Sequence, residues 1–238
     1  MYFPLTFCYN GAKGGVPMKK QTGWVIAITL AACTAMALVD GVWQPPYALK
    51  SAVKILLFLG LPLVLSLRMD GIAYRELFRP AQKGVLAALG LGVGLYALIL
   101  GAYFLIGRFF DFSAIVGNLS ANAGVTRDNF LFVSLYISFV NSLLEEFFFR
   151  GFVFTNLKRH RTRRFAYLFS AAAFSLYHVA MMVGWFSPLL FMLVMAGLMV
   201  GGMIFNYMNE KLETIYCSWL THMFANFAIN TIGFLLMG

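Results

Sequence analysis

The chain has 238 residues, of which 61% are Ala, Val, Ile, Leu, Met, Phe, Trp, Tyr or Cys and only 11% are charged. A soluble domain is about half apolar and a quarter charged, so many of the 25 phenylalanines here must face a solvent other than water. Disorder is excluded by the same numbers, the scattered Cys8, Cys33 and Cys217 give no zinc or disulfide framework, and the net charge of +9 lies in short connectors where it sets topology rather than binding nucleic acid.

Apolar stretches long enough to cross about 30 Å of hydrocarbon fall at residues 22–39, 51–67, 84–107, 129–150, 165–187, 189–208 and 214–237. This pattern predicts an all-α, polytopic membrane protein of about seven transmembrane helices, forming one membrane domain. Residues 1–17 read as a tail ahead of Met18-Lys19-Lys20, residues 18–128 as N-terminal helices with their connectors, and residues 129–238 as the core that carries the chemistry.

In chain order, the first stretch contains Leu30-Ala31-Ala32-Cys33, which resembles a lipoprotein signal ending at a lipidated cysteine; a transmembrane helix that happens to hold a cysteine is the simpler reading. The second carries Lys54 and Pro62, tolerable if the lysine snorkels and neighbouring helices absorb the kink. Gly90/Gly94 in the third and Gly197/Gly201 in the sixth have the spacing of close helix packing. Residues 108–128 read as a polar external loop, with Phe109, Phe110 and Phe112 in the interface.

Of the 18 Lys and Arg, 14 fall on one side of this arrangement and four (Lys50, Lys54, Arg108 and Arg127) on the other. That asymmetry predicts a cytoplasmic N-terminus. The protein is expected in a cell membrane, prokaryotic in character, with lipid as its surroundings and its oligomeric state open.

Ionisable side chains at membrane depth cost about 2.5–3.5 kcal/mol each, so each marks a candidate site. Glu145 and Glu146 precede Phe147-Phe148-Phe149-Arg150; His178 and His222 lie in two later stretches, the latter four residues before Asn226. Counted along helices from the basic connectors, Glu145 and His178 lie roughly 20 Å in, and His222 roughly 16 Å. Three helices therefore bring polar groups to a similar level, as a shared site requires.

Adjacent glutamates point about 100° apart on a helix, so one aims at the site and the other supports it. Glu146 and Arg150 are spaced for an internal ion pair. A carboxylate, two imidazoles and a carboxamide suit hydrolysis: a buried carboxylate as base on water, an imidazole to orient it, and His with Asn to receive an oxyanion. The same carboxylate and imidazoles could instead hold Zn²⁺. Neither a serine triad nor HExxH is present. Tyr177 is placed to line such a site, Phe147 to Phe149 read as lipid-facing or packing residues, and His160 as part of the basic turn.

In order on separate apolar helices, Glu145-Glu146-Phe-Phe-Phe-Arg150, Phe174-Ser-Leu-Tyr-His178 and His222-Met-Phe-Ala-Asn226 match EExxxR, FxxxH and HxxxN. Residues 129–230 thereby resemble the CPBP family (CAAX protease and bacteriocin-processing, also called Abi) of intramembrane endopeptidases. The resemblance implies a helical membrane protease opening to the cytoplasm. Glu145 would activate water with help from His178, His222 and Asn226 would hold the oxyanion, and Glu146 and Arg150 would support the site. The family has been described both as glutamic proteases and as metalloproteases. A metal-independent mechanism is favoured because Asn226 suits an oxyanion better than zinc; were zinc used, Glu145, His178 and His222 would ligate it.

The implied partner is a membrane-associated peptide or protein whose scissile bond is open. Two rivals remain from other classes: a catalytically silent immunity or scaffold protein, and a proton- or cation-coupled transporter.

Overall fold

The computed structural model describes residues 18–67, 77–78, 84–123 and 125–237, with backbone alone at 18–20 and 119–123. Of the described residues 88% are helical and none is in a strand. The tail at 1–17, with Cys8, lies outside them, as do the basic connector residues Arg68, Arg75, Arg79 and Lys83.

Among the described residues, seven helices are long and apolar enough to cross a membrane: α1 (Gln21–Trp43), α2 (Tyr47–Ser66), α3 (Val85–Phe109), α4 (Phe130–His160), α5 (Arg163–Met182), α6 (Pro188–Leu212) and α7 (Ile215–Met237). All seven expected spans are present. The fourth differs most, running 31 residues and ten beyond Arg150. Gly151 to Phe154 continue its buried apolar face, and Lys158, Arg159 and His160 occupy its last turn, where the carbonyl end of a helix favours cations.

Local chemistry sets the helix ends. Thr162 Oγ1 accepts from the backbone N–H of Phe165 (3.3 Å) to cap α5. Pro188 opens α6, where its missing N–H costs no helical bond. Gly84 (φ +133°) starts α3; a Cβ there would stand 2.8 Å from Leu212 at the end of α6. Pro62 is accommodated by widening: the turn Leu56–Gly60 before it is π-helical.

At the centre of the molecule, α4 packs against α1, α2, α5, α6 and α7, while α3 pairs with α7 and α5 with α6. Val25, Ala32 and Met36 of α1, Phe58 of α2 and Phe148, Phe149 and Phe152 of α4 join Phe174 and Tyr177 of α5 in one core. The Phe58 and Phe148 rings stack at 4.3 Å. The three consecutive phenylalanines 147–149 are thus all buried, and none faces lipid.

Polar side chains of α7 grip the α4 backbone. Asn230 Nδ2 donates to the Ser134 carbonyl (3.2 Å) and Ser138 Oγ (3.0 Å), Asn226 Nδ2 to the Ile137 carbonyl (3.2 Å), and Trp219 Nε1 to the Phe139 carbonyl and Ser142 Oγ (both 3.0 Å). These acceptors flank or lie within a π-helical turn, Ile137–Asn141. In hydrocarbon such bonds replace the water that would otherwise satisfy irregular backbone.

Four expectations are corrected. Lys54 does not snorkel: it is 9% exposed and turned into the protein. Arg150, placed with the connector cations, is fully buried, so neither residue reports topology. Gly90, Gly94, Gly197 and Gly201 have open space where a Cβ would stand; the close approaches are at Gly92, against Phe224, and Gly202, against Ala171. The polar stretch 108–128 holds a helix, Ser113–Ala123, rather than only loop, and within it Phe112 turns back onto Tyr103 (5.5 Å) while Phe109 is exposed. Cys33 lies inside α1, part-buried against the main core.

Candidate active site

Glu145, the last residue of an α-helical turn, and Glu146, the first of a nine-residue π-helical segment, sit at the middle of α4 with 2% and 0% exposure. A buried carboxylate must be paired or bonded, and each is, to a different set. Glu145 Oε1 accepts from Lys54 Nζ (3.1 Å) of α2 and from Asn141 Nδ2 (2.9 Å), one turn earlier on α4. Lys54 Nζ also donates to Asn141 Oδ1 (2.5 Å). The second oxygen, Oε2, faces His222 Nε2 at 3.7 Å and His178 Nε2 at 4.0 Å.

Both imidazoles are oriented through their other nitrogen. His178 lies where the α5 helix breaks, and its Nδ1 is 2.7 Å from the Phe174 carbonyl. A carbonyl only accepts, so Nδ1 carries the hydrogen and Nε2 is left as an acceptor aimed at Glu145. His222 Nδ1 is 3.0 Å from Glu146 Oε1. His222 therefore bridges the two carboxylates, one at each ring nitrogen, with its ring stacked on Phe205 of α6 (5.1 Å, 21°).

Glu146 shares its Oε1 with Arg150 Nη1 at 3.4 Å. The Arg150 guanidinium lies between the rings of Phe174 (4.3 Å) and Phe205 (5.0 Å), so aromatic faces supply what water would give an exposed cation. Its three nitrogens and Glu146 Oε2 have no hydrogen-bond partner, so this pair is held by charge and ring faces alone.

The structure thus brings together Glu145, His178 and His222, with Glu146 and Arg150 directly behind His222. Asn226 stands on the same helix, one turn from His222, with an amide N–H on the Ile137 carbonyl rather than on either glutamate. Tyr177 contributes a ring 4.9 Å from Lys54 Nζ. Lys54 and Asn141 were not anticipated. Asn141 had a signal, since it precedes Glu145 by four residues and shares its face; Lys54 had only its cost in the membrane.

A metal fits this site poorly. Among the described residues no three His, Cys, Asp or Glu side chains are grouped to hold an ion. The Lys54 ammonium also lies on the carboxylate that would have to ligate it, so a dication would meet like charge.

A bundle of membrane-crossing helices with two charge-compensated glutamates and two oriented imidazoles at its centre defines a polytopic membrane protein with a cluster of ionisable side chains inside it. Residues 127–228, less than half of the chain, match the family described as Rce1-like, type II CAAX prenyl endopeptidase Rce1-like, and over that segment the chain is similar to it. All three motifs lie within the matched residues; Lys54 does not. No curated protein and no solved structure matches the chain.

Proposed function

We propose that the protein is an intramembrane endopeptidase that hydrolyses a peptide bond of a membrane-embedded or membrane-proximal substrate with glutamate-activated water. One observation carries the reading: Glu145 has one oxygen tied to Lys54 and Asn141 while the other faces two imidazole Nε2 atoms. The family match supports proteolysis at the level of the family.

In this mechanism Glu145 Oε2 takes a proton from water and the water oxygen bonds to the scissile carbonyl carbon. His178 Nε2 accepts the second water O–H and so aims the attacking lone pair. The carbonyl π electrons move to oxygen, and the resulting oxyanion is met by the second amide N–H of Asn226 and by His222. Collapse breaks the C–N bond as Glu145 returns its proton to the leaving nitrogen. The products are a carboxylic acid and an amine, which become a carboxylate and an ammonium when the acid's proton passes to the amine, and the site is restored.

The reaction is proposed to need no metal. Chelation with 1,10-phenanthroline is expected to leave the rate unchanged; stoichiometric zinc in the pure protein, lost in His178→Ala, would replace this mechanism with a metal-based one. The family's description names a CAAX prenyl endopeptidase, so a prenylated C-terminal peptide is the first substrate class to try.

The decisive experiment compares peptide termini in membranes that hold equal amounts of wild type or Glu145→Gln, a near-isosteric loss of the base. New termini present with wild type alone support proteolysis and name a substrate. Identical termini, with any cellular phenotype kept by the variant, would overturn it in favour of a silent scaffold or a transporter.

A further inference from the structure

We propose that Lys54 is a positioning residue of this site: its ammonium fixes one oxygen of Glu145 and leaves the other as the oxygen that works between the two imidazoles. The inference rests on the proteolytic reading above and assigns a role to a residue of α2, outside the matched segment 127–228.

The placement of Lys54 is not what a lysine in lipid adopts by default. It lies seven residues beyond Tyr47, the first residue of α2, roughly 10 Å along the helix, close enough for a flexible stem to carry the charge to the interface. Instead the side chain turns inward, 11% exposed, and its ammonium is used fully: one bond to Glu145 Oε1 at 3.1 Å, one to Asn141 Oδ1 at 2.5 Å, and the Tyr177 ring at 4.9 Å. Burying an ammonium this way is costly without paired charge, and Glu145 supplies it.

The charge pattern explains the use. Two buried carboxylates each have a cation of their own, Lys54 for Glu145 and Arg150 for Glu146. Without Lys54 the nearest groups able to balance Glu145 are His178 and His222. An imidazolium in that role would give up the acceptor nitrogen that orients water. Lys54 and Asn141 together also stop the carboxylate from rotating, so that Oε1 and Oε2 cannot exchange places.

The test uses an internally quenched peptide spanning a bond that the comparison of termini above finds cut with wild type alone, and the full chain in proteoliposomes, with wild type, Lys54→Met, Lys54→Arg and Glu145→Gln. Lys54→Met is expected to lower kcat by about 10²-fold through misplacement of the base while KM stays within about threefold. Lys54→Arg, which keeps the cation, is expected to recover all but about tenfold of that loss. Should Lys54→Met fail to give a wild-type melting transition, Lys54→Gln replaces it, keeping a hydrogen-bond donor without charge. Wild-type kcat in the neutral variant, a change confined to KM, or an equal loss in the neutral and arginine variants would overturn the proposal. Wild type no faster than Glu145→Gln would overturn the proteolytic reading itself, and the role of Lys54 with it.

Discussion

His222 shows how much chemistry one residue can acquire from its neighbours. A lone histidine on an apolar helix is an ordinary polar residue; here Glu146 stands at one ring nitrogen and Glu145 at the other, with Phe205 against its face. The pair behind it, Glu146 and Arg150, is the costliest part of the arrangement because both are fully buried. Removing one member leaves the other charge uncompensated. Arg150→Met is accordingly expected to lower unfolding free energy by about 3–5 kcal/mol, and Glu146→Gln/Arg150→Met to recover more than half of it, as read from denaturation in mixed micelles. A double variant that loses the sum of the Glu146→Gln and Arg150→Met losses would show that the pair is not coupled. The motif residues were legible because charge in hydrocarbon is expensive and so advertises itself. Lys54 carried the same signal, but whether it snorkels or turns inward depends on a carboxylate 91 residues away in the chain.

At the scale of elements, packing separates residues that sequence spacing makes look alike. Gly90 and Gly94 share a face of α3, whereas Gly92, two residues from each, lies on the opposite one. It is Gly92 that meets α7, where a Cβ would stand 2.6 Å from Phe224 Cδ2 and 3.2 Å from Phe224 Cβ. Gly92→Ala is therefore expected to destabilise the protein by about 1–3 kcal/mol and Gly90→Ala to leave it unchanged, measured by thermal aggregation in one detergent. The grip of α7 on α4 makes a second prediction. Asn230→Leu leaves the Ser134 carbonyl and the Ser138 hydroxyl without their interhelical donor, and a loss of about 1–2 kcal/mol is expected in the same assay. Spacing could place Asn226 and Asn230 on one face; it could not reveal that a widened turn in α4 would present carbonyls to them.

For the whole molecule, an odd number of membrane-crossing helices puts the residues before α1 and after α7 on opposite faces. Reporter fusions ahead of Gln21 and after Met237 are expected to respond oppositely to a compartment-specific label, and a shared side would mean that one of the seven does not cross. The number and rough bounds of these helices were readable from the chain alone, since hydrocarbon thickness sets a minimum length and apolar composition meets it locally. The order of the three motifs was readable for the same reason, and with it the resemblance to a family that residues 127–228 match.

What the chain order could not decide is who stands next to whom. The seven helices have similar apolar surfaces, and lipid matches them as well as a neighbouring helix does, so hydropathy alone chooses no partners. Shape and hydrogen bonding choose: Gly92 against Phe224, the α7 asparagines on the opened α4 backbone, the ring of Phe58 stacked on Phe148. Only when those contacts form does Lys54 of α2 reach Glu145 of α4, and only then does one carboxylate oxygen turn to the histidines of α5 and α7. Sequence determined which residues could do chemistry, because each had to justify its cost in lipid; tertiary packing decided which atom of each faces which, because that depends on contacts between segments far apart in the chain.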